Sequence, residues 1–156
     1  MSLINYKHKS MKAFIFSCLF TFIASLAISQ NVKPVTWNFK VTQNEDASYT
    51  LTATSKMKED WVIYSQHTGE GGPIPLKFTY EDGIELIGDT KEESEAIKKM
   101  SELFEIEVIK FQKEAVFTQI FNPKKGQSSV KGSLSFMCCD GQRCLPPTDV
   151  PFDIAL

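Results

Sequence analysis

Val130-Lys131-Gly132-Ser133-Leu134-Ser135-Phe136-Met137-Cys138-Cys139, followed by Asp140-Gly141-Gln142-Arg143-Cys144, is the stretch on which the reading of this chain turns. Val130, Leu134, Phe136 and Cys138 recur at even spacing with small or polar residues between them, the period of a half-buried strand. Counting by twos puts Cys138 on the apolar face, and Ser133, Ser135, Met137 and Cys139 on the other. If no bulge interrupts the strand, Cys138 is a small buried hydrophobe, a common role for a free cysteine, and Cys139 is exposed. Asp140 and Gly141 are turn formers, so the chain can double back and bring Cys144 to Cys139.

The same period runs through the residues upstream. Val35, Trp37, Phe39 and Val41 alternate with polar residues, and Tyr49, Leu51 and Ala53 repeat the pattern after a polar turn at Asn44-Glu45-Asp46. Trp61-Val62-Ile63-Tyr64 is a short apolar run. Gly69, Gly71, Gly72, Pro73 and Pro75 punctuate a loop before Leu76, Phe78 and Tyr80, and Asp82-Gly83 turns the chain into Ile84-Glu85-Leu86-Ile87. Residues 91–101 break the style. They are highly charged, with Ala96, Ile97 and Met100 at roughly helical spacing, and are expected as a short helix or a solvated loop. Strands resume from Phe104, Ile106 and Val108, then Val116, Thr118 and Ile120. Pro123-Lys124-Lys125-Gly126 is a turn, and Val150, Phe152, Ile154 and Leu156 close the chain. About eight short strands with turns at short intervals predict an all-β fold, a β-sandwich with one short charged loop or helix insertion.

The N-terminus reads as a targeting segment. Lys7, Lys9 and Lys12 precede an apolar run over residues 13–27, and Ala27-Ile28-Ser29 has the small-x-small pattern of a cleavage site. The expectation is a signal peptide over residues 1–29, cleaved after Ser29, with Met1 or Met11 as the start. A run this short falls below the roughly 20 apolar residues of a membrane span. The rest, residues 30–156, is one domain. Three of the 17 basic residues leave with the leader, so 14 face 19 acidic ones, a net charge of −5. That balance offers no basic surface for nucleic acid, and a monomer is expected.

Export places the cysteines in an oxidising environment. Three remain beyond the leader, all within seven residues, so a monomer leaves one unpaired. A Cys139–Cys144 bond closes a small loop, which makes it a modest staple and suits it to being broken and remade. Arg143 beside Cys144 would favour the thiolate, the nucleophile in exchange. A purely structural disulfide stays open as the commonest fate of such a pair. Metal binding stays open as well, although His67 is the one histidine beyond the leader and zinc takes four ligands. A bond between the adjacent Cys138 and Cys139 would be strained.

Phe136-Met137-Cys138-Cys139-Asp140-Gly141-Gln142-Arg143-Cys144-Leu145-Pro146-Pro147 resembles the signature of the N-terminal domain of the thiol:disulfide interchange protein DsbD, in which a Cys-x4-5-Cys turn precedes an aromatic or leucine, two prolines and a final strand. Trp61-Val62-Ile63-Tyr64-Ser65-Gln66 and Gly71-Gly72-Pro73-Ile74-Pro75 are similar to that family's aromatic strand and Gly-Gly-Pro-Ile-Pro loop, so the resemblance runs in order along nearly the whole chain beyond the leader.

The resemblance implies an immunoglobulin-like β-sandwich in the periplasm. It implies a protein-disulfide oxidoreductase or dithiol electron carrier, whose cysteine pair takes electrons from a membrane-embedded thiol reductase and hands them to thioredoxin-like or other oxidised proteins. No cofactor or metal is called for. In the family a mobile cap loop with acidic and aromatic residues shields the sulfurs. Here Glu102 matches the cap glutamate, Leu103 or Phe104 the shielding aromatic, and Ser101 stands where aspartate is common. Tyr64 matches a tyrosine packed near the site, and Asp140 and Arg143 border the cysteines. The family's spacing admits either Cys138 or Cys139 as partner of Cys144, and strand parity selects Cys139. The family's full-length protein continues into transmembrane and thioredoxin-like domains, so the expected reductant here is a separate protein. The rival expectation is a secreted, non-catalytic binding module or adaptor with a structural disulfide.

Overall fold

The computed structural model describes Lys33–Leu156. The expected leader, residues 1–29, and its cleavage site after Ser29 lie outside the described residues. Among the described residues there are eleven strands and no helix: β1 (Val35–Gln43), β2 (Tyr49–Met57), β3 (Val62–Tyr64), β4 (Lys77–Tyr80), β5 (Ile84–Glu92), β6 (Ile97–Met100), β7 (Glu107–Gln112), β8 (Glu114–Pro123), β9 (Ser129–Phe136), β10 (Cys138–Cys139) and β11 (Thr148–Ala155). None of them contains a helix long and apolar enough to cross a membrane.

The first layer is a four-stranded sheet in the order β1-β2-β8-β5. The second is made of two sheets, β11-β9-β4 and β10-β3-β7-β6, joined where the chain runs from β9 into β10. All pairings are antiparallel. Apolar alternation drives the layers together: Leu51 and Ala53 of β2, Phe117 and Phe121 of β8, Phe111 of β7 and Val130 and Leu134 of β9 are almost wholly buried. Burying each phenylalanine contributes about 1.5–3 kcal/mol. The rings interlock across the sandwich, with Phe111 to Phe117 and Trp37 to Phe136 each at 5.5 Å and Phe39 to Phe152 at 5.0 Å. This is the all-β, immunoglobulin-like sandwich expected from the sequence.

Several local expectations change. Residues 91–101 form no helix. Lys91 and Glu92 end β5, residues 93–96 link, and Ile97–Met100 is β6, an edge strand exposed along its length. Its charge reflects two solvated faces, while its backbone is claimed by pairing with β7. Phe104 lies in a turn and the next strand starts at Glu107. On β8, Val116, Thr118 and Ile120 are the half-buried face, and Ala115, Phe117, Gln119 and Phe121 face the core. Gln119 is tolerated there because β5 shifts register between Ile87 and Lys91. Its amide donates to the carbonyls of Gly88 (3.2 Å) and Ile120 (2.8 Å), and its oxygen accepts from Thr90 Oγ1 (2.7 Å).

Candidate functional site

The strand that carries the cysteines does not stay in one sheet. β9 pairs with β4 as far as Ser135 and with β11 as far as Phe136; after Met137 the chain continues as β10 and pairs with β3, Cys138 opposite Ile63 and Cys139 opposite Val62. The alternation persists through Met137, with Cys138 on the inward face beside Ile63 and Cys139 on the outward face beside Val62. Cys138 is buried as expected, but so is Cys139, at 1% exposure. The expected exposure of Cys139 is therefore wrong. Over β10, β3 and the middle of β7 the sheet is covered on both faces: Ile63 and Phe111 point into the sandwich, and Val62, Tyr64, Val108 and Cys139 form a second cluster on the outer face, with Phe104, Ile106, Met137 and Cys144 packed against it.

Cys139 and Cys144 are joined in a disulfide across a sequence separation of five, and Cys138 is a free thiol. The turn between them is held by its own groups. Asp140 N–H donates to the Arg143 carbonyl (3.1 Å), and Leu145 N–H donates to the Cys138 carbonyl (2.9 Å). Asp140 Oδ1 accepts from the backbone N–H groups of Gln142 (3.1 Å) and Arg143 (3.0 Å), which is the local bonding that favours aspartate in turns. Gly141 takes φ 88°, a conformation that costs glycine nothing. These backbone donors, that of Arg143 first, hold the Asp140 carboxyl below its usual range.

Arg143 also directs its Nε at Asp140 Oδ2, 3.3 Å away. Its charge is thus partly matched by the carboxylate and is not free to act on Cys144 alone. Cys144 is partly exposed, so it is the more accessible residue of the pair. Burial, and then the negative charge of Asp140, push the Cys138 thiol up to about 11, which leaves it protonated and a poor nucleophile near neutrality. Burial and then Cys138 raise the Tyr64 hydroxyl above its ordinary value.

The cap stretch is the six-residue loop between β6 and β7. Ser101 N–H donates to the Ile106 carbonyl, and Glu105 N–H donates to the Ser101 carbonyl, both at 2.8 Å. Phe104 N–H approaches Ser101 Oγ at 3.4 Å, so Ser101, which stands where the family favours aspartate, closes the turn. Phe104 sets its ring edge-on to Tyr64, centroids 6.2 Å apart at 89°. Leu103 is 48% exposed and Glu102 is exposed. A cleft of about 590 Å³ opens between this loop and the cysteine turn. Glu102 and Leu103 line one side, Cys139, Asp140 and Gly141 the other, and Val62, Tyr64 and Val108 the floor.

The structure therefore gathers Tyr64, Glu102, Leu103, Cys139 and Asp140 around one cleft, packs Phe104 and Cys144 against the apolar cluster at its floor, and sets Cys138 behind it. Val62, Val108, Ile106 and Met137 were not foreseen as neighbours. Their apolar character is legible, but their meeting depends on long-range pairing of β3 with β7 and β10. Among the described residues no group of three or more His, Cys, Asp or Glu side chains is placed to hold a metal ion.

No protein-family model matches the chain, and no curated protein matches it. Among solved structures it is similar to the N-terminal domain of DsbD from Neisseria meningitidis in the reduced form, with a TM-score of 0.59 and 18% identity over 79% of this chain and 86% of that one. It is also similar to the N-terminal periplasmic domain of ScsB from Proteus mirabilis, with a TM-score of 0.63 and 14% identity over 81% of this chain. The chain spans about half of that second structure, 48%. The resemblance carried by the cysteine motif thus extends to the three-dimensional fold.

Proposed function

We propose that this chain is a periplasmic thiol–disulfide exchange domain, delivered by the leader over residues 1–29 and working as residues 30–156. The observation that carries the reading is the Cys139–Cys144 disulfide, set on a short turn at the wall of a cleft and sheltered by a loop bearing Phe104. A bond meant only to brace the fold gains most by closing a long loop. This one closes a very short loop next to an opening that admits another molecule.

In the reduced form, the Cys144 thiolate attacks a partner's disulfide. A Cys144–partner bond forms and the partner's second sulfur leaves as a thiolate. The Cys139 thiolate then attacks Cys144, frees the partner as a dithiol and restores the Cys139–Cys144 bond. Two electrons pass to the partner, and a membrane-embedded thiol reductase resupplies them by the reverse exchange. The acceptors are thioredoxin-like or other oxidised exported proteins. Exposure of Cys144 supports it as the attacking sulfur, and Glu102 on the cap would oppose thiolate formation when the loop is closed.

The test is equilibration of the purified protein across a glutathione and dithiothreitol series. A Cys139–Cys144 couple within the range of known carriers supports exchange. A potential below about −300 mV marks a structural bond and overturns the proposal. Burial of Cys139 is the feature that favours the rival reading of a binding module with a staple, and this measurement separates the two.

A further inference from the structure

A β-carbon placed on Gly72 would lie 2.6 Å from Ile106 Cδ1 and 3.4 Å from its Cγ1. Gly72 does not take a left-handed backbone, so its lack of a side chain serves space and not conformation. The residue it makes room for is the one that closes the cap: the Ile106 carbonyl accepts from Ser101 N–H, and the Ile106 side chain packs in the cluster that holds Phe104, Tyr64 and Cys139.

The two sides of this contact are held unequally. The loop bearing Gly72 is pinned. Thr68 Oγ1, before it, donates to the Ile109 carbonyl of β7 at 2.8 Å; Pro73, within it, is fully buried; and Leu76, after it, is 2% exposed. The hydrogen bonds of the cap run through Ser101, to Ile106, Glu105 and Phe104, its packing rests on Phe104 against Tyr64 and on Ile106, and its Leu103 is 48% exposed. A clash between them is relieved on the cap side, at the Ile106 side chain, and not in the loop.

From this asymmetry we infer that the Gly71-Gly72-Pro73-Ile74-Pro75 loop is a rigid stop that sets how closely the cap shuts over the Cys139–Cys144 bond, with Gly72 as the positioning residue acting through Ile106. The inference rests on the exchange reading of that bond and assigns it a regulator of access. A side chain at position 72 drives Ile106 outward, weakens the closed cap and lets reductant reach the sulfurs more often, while the equilibrium between dithiol and disulfide, measured with the cap free to open, stays the same.

The test is the rate at which excess dithiothreitol reduces the bond in the purified protein, read by quenching and thiol counting, together with the equilibrium potential. Gly72→Ala is expected to reduce about fivefold faster, the effect of a closed state weakened at the low end of an overpacking clash. Gly69→Ala is the matched control: a β-carbon there meets nothing within 4 Å, and its rate should equal that of the parent. Ile106→Val removes the Cδ1 atom that clashes, so Gly72→Ala combined with Ile106→Val should return to the rate of Ile106→Val alone. The potential should not move in any of them. Equal rates for Gly72→Ala and Gly69→Ala overturn the inference, as does a double variant that stays as fast as Gly72→Ala. If Gly72→Ala does not fold, Ile106→Ala deletes the cap side of the same contact and must itself speed reduction; an unchanged rate overturns the inference. Because dithiothreitol is in excess, these comparisons are readable even if the potential of the parent rules out exchange with partners.

Discussion

Reducing the Cys139–Cys144 bond should weaken the fold only slightly. A cross-link spanning a sequence separation of five removes little freedom from the unfolded chain. The loop-entropy relation gives about 2 kcal/mol at 25 °C, against about 4.7 kcal/mol for a 100-residue loop. A domain of this size has an unfolding entropy of roughly 260 cal/mol/K, so the loss converts to a fall of about 8 °C in the thermal midpoint. On the redox scale the same energy is worth about 45 mV for a two-electron couple, which leaves the bond within reach of biological reductants. The assay is thermal unfolding followed by near-ultraviolet circular dichroism, with and without reductant, repeated on the Cys139→Ser/Cys144→Ser variant. A drop near 20 °C, or loss of the folded signal at 25 °C, would show that the native packing depends on the bond as a staple and would refute the argument from loop length.

Four further outcomes follow from the same structure. Cys138→Ser should leave the rate of exchange unchanged while placing a hydroxyl in a buried site, at a cost of about 1–3 kcal/mol by chemical denaturation; loss of exchange in this variant alone would reverse the assignment of the pair. Because burial raises the Cys138 thiol from 9.0 to about 11 in the folded protein, the stability that depends on its protonation is complete below pH 9 and is lost as the pH rises toward 11; the difference in stability between parent and Cys138→Ser should shrink over that interval, and a constant difference contradicts the burial argument. Phe104→Ala removes the ring that meets Tyr64 edge-on and should cost about 1 kcal/mol while speeding reduction by dithiothreitol, whereas an unchanged rate means that Phe104 does not shield the sulfurs. Gly132→Ala puts a β-carbon against the Thr79 carbonyl and 2.7 Å from the Phe152 ring, where β9 lies between β4 and β11; a loss of about 3 kcal/mol is expected, measured by urea denaturation, and a neutral result would contradict the close approach of those strands.

Much of the architecture is legible in the chain because a strand announces itself by period. Leu51 with Ala53, Phe78 with Tyr80, and Val130 with Leu134 and Phe136 mark strands whose inward faces need only local alternation to be recognised. The cysteine turn is legible for the same local reason, since Asp140 bonds its own backbone and Gly141 takes the left-handed conformation. Residues 91–101 are misread because pairing to a neighbour, not composition, makes β6 a strand. Gln119 is buried because β5 shifts register beside it, and no signal within β8 reports that.

The sequence by itself determined that this is a sandwich of short antiparallel strands with three cysteines at the end of one of them and a turn that can join two. Only the tertiary structure decided what covers each of the two faces. Alternation reports exposure only where one side of the sheet is solvated. Here the chain leaves its sheet at Met137, and the sheet it joins is, around β10 and β3, buried below by the sandwich and above by the cap. Cys138 and Cys139 are therefore both buried, and what separates them is the cleft beside Cys139 and the return of Cys144 to its side.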